Sequence, residues 1–351
     1  MNNSCCSPRS PSCCDGDGLN VGAGARTAHA DLTICDYLGA FKARLGIGRM
    51  AYSVEPGLYA VGNPGNNSPV LVSANYKLTF DILRKRLAGM DCWLLILDTK
   101  GVNVWCAAGK GTFGTDELLR RIEESELSRY VSHKELVLPQ LGAPGVSAHE
   151  VTRRSGYSIR YGPVRASDIK PYFDAGCKAT KEMRTVAFTL WDRLVLTPVE
   201  LIPALKYSLP VFGVMLISNQ FAAKPFDHAD VAASAGAILS GTVLTPALLP
   251  YIPGRAFAWK GWLMGFGCTA GILCATGKFR KGNRLLAAGH LLLFPAISSF
   301  LAMNFTGAST YTSPSGVNKE MRKALPFILG AAAAGAALTL GCHLFGRRKG
   351  K

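Results

Sequence analysis

Between Asp36 and Trp191 the apolar positions alternate between helical and strand spacing. Leu38, Phe41 and Leu45 recur as on one helix face, and Gly46 can end that helix. Met50–Val54 and Leu58–Gly62 flank Glu55-Pro56-Gly57, which predicts a hairpin. Val70-Leu71-Val72 reads as a short buried strand. Thr79 is placed to cap a helix through Arg86, with Phe80, Leu83 and Leu87 inward and Gly89 as its stop. Trp93–Leu97 is a continuous apolar strand of the kind buried on both faces. A helix from Thr115 turns Leu118, Leu119 and Ile122 inward, and Leu136-Val137-Leu138 is the next strand. Ser147 and Glu150 have capping-box spacing, before a helix that Gly156 closes. Tyr157–Tyr161 predicts a strand, Ser167–Asp174 a short helix and Thr185–Leu190 a last strand. The expected fold is an open, Rossmann-like α/β sheet with helices on both faces, which keeps its ligand at the carboxyl ends of the strands.

After Trp191 the pattern changes to long uncharged runs: 207–223, 231–252, 261–277, 285–307 and 324–346, each of 17 to 23 residues. A membrane span needs roughly 20 apolar residues, so an all-α transmembrane bundle of about five helices is expected over residues 199–346. Pro198, Pro203, Lys206 and Pro210 crowd the start of the first run. The Lys/Arg distribution fits four or five spans, with the tail on either side. Residues 1–35 are rich in Ser, Gly, Pro, Asn and Cys and lack the apolar core of a signal peptide, so a disordered cytoplasmic tail is expected. The division is then tail 1–35, α/β domain 36–195, membrane domain 199–346 and basic tail 347–351.

Charge sharpens that division. The chain of 351 residues carries 39 Lys/Arg and 23 Asp/Glu, a formal charge of +16. Only Glu200, Asp227, Asp230 and Glu320 are acidic after residue 198, which is incompatible with a water-soluble second half. Eleven cysteines without a C-x-x-C argue against a secreted disulfide framework, a zinc ribbon or an iron–sulfur cluster within this chain.

The strongest chemical signal follows the strand at 93–97: Asn103-Val104-Trp105-Cys106-Ala107-Ala108-Gly109-Lys110-Gly111. Its glycines let the backbone approach something large and flat. A phosphate loop fails, because Val104 stands where the first Gly belongs and Gly111 where Ser or Thr should hold magnesium. A nucleophilic cysteine needs a base, and His133 and His149 lack a supporting motif. A buried structural Cys is the plain alternative.

Residues 103–110 resemble the signature of the corrinoid protein of microbial mercury methylation. The resemblance extends over Glu55–Tyr59, Ser68–Lys77, Leu138–Gly145 and Tyr161–Ala166, and so covers roughly residues 50–200. The α/β half is also similar to the corrinoid domain of the large subunit of the corrinoid iron–sulfur protein. The resemblance implies that Cys106 is the lower axial ligand of cobalt in a base-off, cobalamin-type corrinoid. The chain has no Asp-x-His-x-x-Gly for the alternative histidine-on mode. Asn103, Val104, Trp105, Ala107, Ala108, Gly109, Lys110 and Gly111 would surround the cofactor. Gln140, Gly142, Pro144 and Gly145 would line the same face, with Ser73 and Asn75 as weaker candidates or ordinary turn residues. A soft, strongly donating thiolate suits methyl release toward a soft electrophile. The implied activity is that of a membrane-anchored methyltransferase that methylates mercury(II). Its implied partners are a methyltransferase loading methyl from a folate-type donor and a ferredoxin-like [4Fe-4S] protein that reduces the cobalt and delivers mercury. The implied location is the cytoplasmic membrane, with the corrinoid domain on the cytoplasmic side.

Cys5-Cys6 and Cys13-Cys14 suit soft metals and raise a mercury-handling role against that of a tolerated extension. Cys268, Cys274 and Cys342 read as small apolar residues of the spans, and His290 as an interhelical histidine. A membrane transporter or scaffold with a small-ligand-binding α/β domain fits the same spans. The two readings separate on Cys106.

Overall fold

The structure is a computed structural model that describes residues 20–21, 24–221, 227–279 and 284–345. Cys5, Cys6, Cys13, Cys14 and the basic tail 347–351 lie outside the described residues. The chain divides into two compact units, Met1–Ala187 and Phe188–Lys351.

The first unit is built on a seven-stranded sheet with order β1-β2-β3-β5-β4-β6-β7. The strands are β1 (Asn20–Val21), β2 (Ala25–Thr27), β3 (Gly57–Val61), β4 (Val70–Ala74), β5 (Cys92–Leu97), β6 (Glu135–Leu138) and β7 (Ser158–Tyr161). Strands β5, β4, β6 and β7 run parallel, while β3 lies antiparallel beside β5. The apolar run of β5 is wholly buried because both of its faces are covered. Trp93, Leu95 and Leu97 pack on one side with α3 (Val104–Lys110), α4 (Thr115–Glu124) and α5 (Ala148–Ser155). Cys92, Leu94 and Ile96 pack on the other with α2 (Lys77–Arg86) and α6 (Ile169–Asp174). Burial and the neighbouring Asp91 push the Cys92 thiol up to about 12, so it is a neutral core side chain.

The order of these strands locates a ligand crevice. The chain leaves β4 to form β5 on one side, then crosses over to form β6 on the other. The crevice at such a reversal opens at the carboxyl ends of the two strands.

Several local expectations are corrected. No hairpin forms at residues 50–62: Arg49–Ala51 is a 3₁₀ turn, Ser53 makes one isolated bridge to Tyr76, and β3 pairs with β5 instead. The second helix starts at Lys77, ahead of Thr79, behind Tyr76 as a cap without a side-chain bond. Ser147 forms no capping box; its N–H donates to Thr115 Oγ1 at 2.9 Å, tying α5 to the start of α4. Residues 185–190 are not a strand, since they link the end of α7 (Lys181–Arg184) to the start of α8 (Leu190–Phe221) and no sheet edge takes them up. Residues 25–28, assigned to the disordered tail by composition, extend the sheet. Arg26 and Thr27 pair in parallel with Tyr59 and Ala60, and the small side chains of Ala25 and Ala28 are buried.

One ion cluster ties the first helix, α1 (Ile34–Arg44), to α2. Lys77 Nζ lies 2.7 Å from Asp36 and 3.0 Å from Asp81, while Arg84 reaches both carboxylates at 2.9 Å. Burial alone would raise the Asp36 carboxyl, but Lys77 and the Thr33 cap hold it at about 2.

The second unit is helical: α8 (Leu190–Phe221), α9 (His228–Leu239), α10 (Thr245–Ala247), α11 (Phe257–Ala275), α12 (Arg284–Asn304) and α13 (Pro314–Phe345). A π-helical stretch, Ser240–Leu244, joins α9 to α10. Glycines set close approaches. A Cβ at Gly261 would lie 2.4 Å from Ala302 Cβ, and one at Gly335 would lie 2.7 Å from Gly289 O. Among the described residues three helices are long and apolar enough to cross a membrane: Leu190–Gly213, Arg284–Ala308 and Ser315–Cys342. The run at 231–252 is cut by the π-helical stretch into short pieces, and α11 is diluted by Gly, Trp and Lys260. The first apolar helix also begins earlier than the expected run at 207.

Candidate functional site

The loop that leaves β5 is clamped by one side chain. Asn75, at the end of β4 and buried, accepts at Oδ1 from Thr99 N (3.1 Å), Thr99 Oγ1 (2.8 Å) and Gly101 N (3.0 Å). Its Nδ2 donates to Asp98 Oδ1 at 3.3 Å. Glu117 Oε1 accepts from Asp98 N at 2.7 Å. Burial opposes the charge on Asp98, yet its hydrogen bonds to Lys100 hold its carboxyl below the usual range. The chain passes through Lys100 and Gly101 in the left-handed region, with φ of 58° and 69°. That reversal delivers Asn103 to the start of α3.

Asn103 caps α3. Its Oδ1 accepts from Cys106 N at 2.9 Å, which satisfies one of the free N–H groups of the first turn. Val104, Ala107 and Ala108 point into the core, while Trp105 and Cys106 stand half-buried. Gly109 and Lys110 are exposed, and Gly111 closes the helix with φ of 81°. A Cβ at Gly109 or Gly111 would meet nothing within 4 Å, so this end of α3 faces open space.

The loop after β6 packs under the same helix. At Gly145 a Cβ would lie 2.1 Å from Phe113 O and 3.0 Å from Ala108 Cα. At Gly142 it would lie 2.5 Å from the Phe113 ring. These two glycines therefore seat α3 against the loop, and Pro144 is exposed beside them. Tyr161 Oη donates to Val146 O at 2.8 Å and fixes the far end of the loop. The Gln140 Oε1 acceptor is buried without a hydrogen-bond partner.

A cavity of about 350 Å³ opens at the crossover point between β4 and β6. Ser73, Asn103, Val104 and Trp105 line it, together with Leu138, Pro139, Leu141, Gly162, Pro163 and Tyr172. The cavity thus gathers four of the residues singled out from sequence. Cys106, in the same first turn of α3, and Gly109 and Lys110, one turn further on, lie outside its lining. Asn75 serves the loop clamp. Thr79 and Ile82, on α2, and Pro163, just after β7, are lining residues that periodicity missed, because it marks the buried core and not the positions beside a crevice. The Gly162-Pro163 step directly after a parallel strand is the signal that would have found that part of the wall.

Among the described residues no group of three or more His, Cys, Asp or Glu side chains could hold a metal ion. Cys106 is a free thiol.

The fold and site define an α/β domain with a ligand crevice at its strand crossover, followed by apolar helices. Residues 47–171 match the family model of the CO dehydrogenase/acetyl-CoA synthase delta subunit. Subunit gamma of the acetyl-CoA decarbonylase/synthase complex of Methanopyrus kandleri is 34% identical over 128 residues, covering 36% of this chain and 27% of that one. Its counterpart from Archaeoglobus fulgidus is 33% identical over 128 residues, with the same coverage. Subunit gamma 2 from Methanosarcina mazei is 38% identical over 99 residues, covering 27% of this chain and 21% of that one. The chain thus spans about a quarter of the length of these relatives. These matches overturn the assignment to the mercury-methylation family. The residues that carried that assignment, 103–110 and the stretches between 55 and 166, all fall within the stretch that these matches cover, from β3 to β7.

Proposed function

We propose that the α/β unit is a corrinoid-binding methyl-transfer domain in which Cys106 ligates cobalt. The observation that carries this reading is the placement of a half-buried thiol beside the strand-crossover crevice, on the stretch shared with subunits of an acetyl-CoA-making and -cleaving complex. Removing the carbonyl from an acetyl group leaves a methyl group to be carried, so a methyl carrier is a role such a complex requires. A bound corrinoid would supply cobalt, on which a methyl group can be carried. Every other task falls to the chain. Asn103 fixes the first turn of α3 and with it the position of Cys106 Sγ. Ala107 and Ala108 anchor the helix so that the sulfur stays in place. The open space at Gly109 and Gly111 admits a flat ring, and the unpartnered Gln140 Oε1 can accept from a corrin amide N–H. Trp105 and the cavity beside it offer an apolar wall to the edge of the cofactor.

Three helices long and apolar enough to cross a bilayer support a membrane protein; the cytoplasmic membrane, with this unit on its cytoplasmic side, is the proposed location. A reductant of ferredoxin type and a methyl-donating methyltransferase are the proposed partners, since a corrinoid methyl carrier would have to be loaded with methyl and kept reduced by other proteins. The test is single-turnover transfer of a labelled methyl group from the corrinoid-loaded full chain to acceptors of graded softness: a thiol, nickel(II) and mercury(II). Transfer to one of them, abolished by Cys106→Ala, is the result expected. Equal transfer by wild type and variant would defeat the reading, and a preparation that binds no corrinoid would favour a small-ligand domain instead.

A further inference from the structure

Helix α1 is fixed to its unit by its polar side. Asp36 is buried in the cluster with Lys77 and Arg84, and the Tyr52 ring lies so close to Gly39 that a Cβ there would be 2.8 Å from Cε2. Its apolar residues face the other way. Ile34, Tyr37, Leu38 and Phe41 have the spacing of one helix face, and Ile34 and Phe41 are 78% and 60% exposed. Ile47 and Met50, at 58% and 70%, prolong the same segment. An exposed apolar stripe of this size marks a contact surface. Its rim is basic: Lys42 and Arg44 are exposed on the helix, and Lys85 reaches Tyr37 Oη at 3.0 Å. Asp36 is the sole acid between residues 34 and 50, and it is paired inside. The nearest exposed acid in sequence is Asp31, ahead of the helix.

We propose that α1 is an interfacial helix that seats its apolar stripe in a membrane surface of anionic phospholipid. Aromatic and aliphatic residues on one face with Lys and Arg at the edge are the pattern that lipid headgroups and acyl chains accept together. The same chain carries three helices of membrane-crossing length, so lipid is the apolar phase at hand. The helical part of the stripe, Ile34 to Phe41, precedes residue 47, where the stretch shared with the acetyl-CoA complex subunits begins, so α1 is a feature apart from that shared stretch. The inference goes beyond the methyl-transfer reading and does not depend on it.

The test uses the full chain reconstituted in vesicles of phosphatidylglycerol and phosphatidylcholine. A photoreactive benzoyl-phenylalanine replaces Phe41, or Arg153 as an exposed control. The expected product is a lipid adduct at position 41 and none at position 153. In pure phosphatidylcholine, or with Lys42→Gln and Arg44→Gln together, the yield should fall at least about fivefold, the effect of one basic side chain at an anionic surface. An adduct to protein, whether another copy, another segment of this chain or a partner, overturns the proposal. So does an unchanged yield in neutral vesicles, or no adduct at all.

Discussion

At Gly145 the separation between two backbones decides whether α3 can sit where it does. An added Cβ would stand 2.1 Å from Phe113 O, and backbone on both sides leaves it no room to move. Gly145→Ala should therefore destabilise the first unit by about 1–3 kcal/mol and displace α3. Thermal unfolding checks the first effect, and loss of corrinoid retention the second. Gly109→Ala, by contrast, meets nothing within 4 Å and should leave the fold intact. Asn75 is a second such position. Asn75→Ala leaves the N–H groups of Thr99 and Gly101 without their acceptor in a buried loop, at a cost of about 2–3 kcal/mol. Denaturant unfolding should show a lower midpoint, with hydrogen exchange rising first in residues 98–103.

The elements differ in how far the sequence foretold them. Continuous apolar strands such as β5, and helices with a clear inward stripe such as α4, are legible because burial selects their residues directly. The second strand was not, since Ala-Arg-Thr carries no apolar alternation; it is held by pairing with β3. The expected hairpin failed for a related reason: local turn chemistry at Pro56-Gly57 was outweighed by the longer pairing of β3 with β5. The first helix was legible from its spacing, but spacing alone did not say which side is buried: the buried side is held by ions and the apolar side is left outside. That ion cluster predicts a pH effect. Asp36 is held at about 2, below its unfolded value of about 3.8, so its stabilisation is present above pH 4 and is lost as pH falls toward 2. Asp81 is shifted the other way by burial, which opposes its charge, and offsets part of this. Asp36→Asn should remove the Asp36 component, on the order of 1–2 kcal/mol. The stability difference between wild type and variant should then shrink between pH 4 and pH 2; a difference that is flat over that range refutes the assignment.

For the whole molecule, the change near residue 188 from a two-faced sheet to apolar helices was visible in the charge distribution. Which of its helices are long and apolar enough to cross a bilayer, three among the described residues, was not, because hydropathy cannot see a π-helical interruption. If the three apolar helices span a bilayer, the protein should stay in the membrane pellet after alkaline carbonate extraction, and release into the supernatant would contradict that. The candidate site was legible as a cluster after β5, with Asn75 among its weaker candidates; the clamping role of Asn75 and the Gly162-Pro163 wall were not, since both arise from strands brought together by the crossover.

The central claim is a sulfur–cobalt bond at position 106. Electron paramagnetic resonance of the cobalt(II) form of the corrinoid-loaded full chain tests it most directly. The account predicts a spectrum without the threefold splitting of an axial nitrogen in the wild type, appearance of that splitting in Cys106→His, and a shifted spectrum in Cys106→Ala. Nitrogen splitting in the wild type, or three identical spectra, would contradict it.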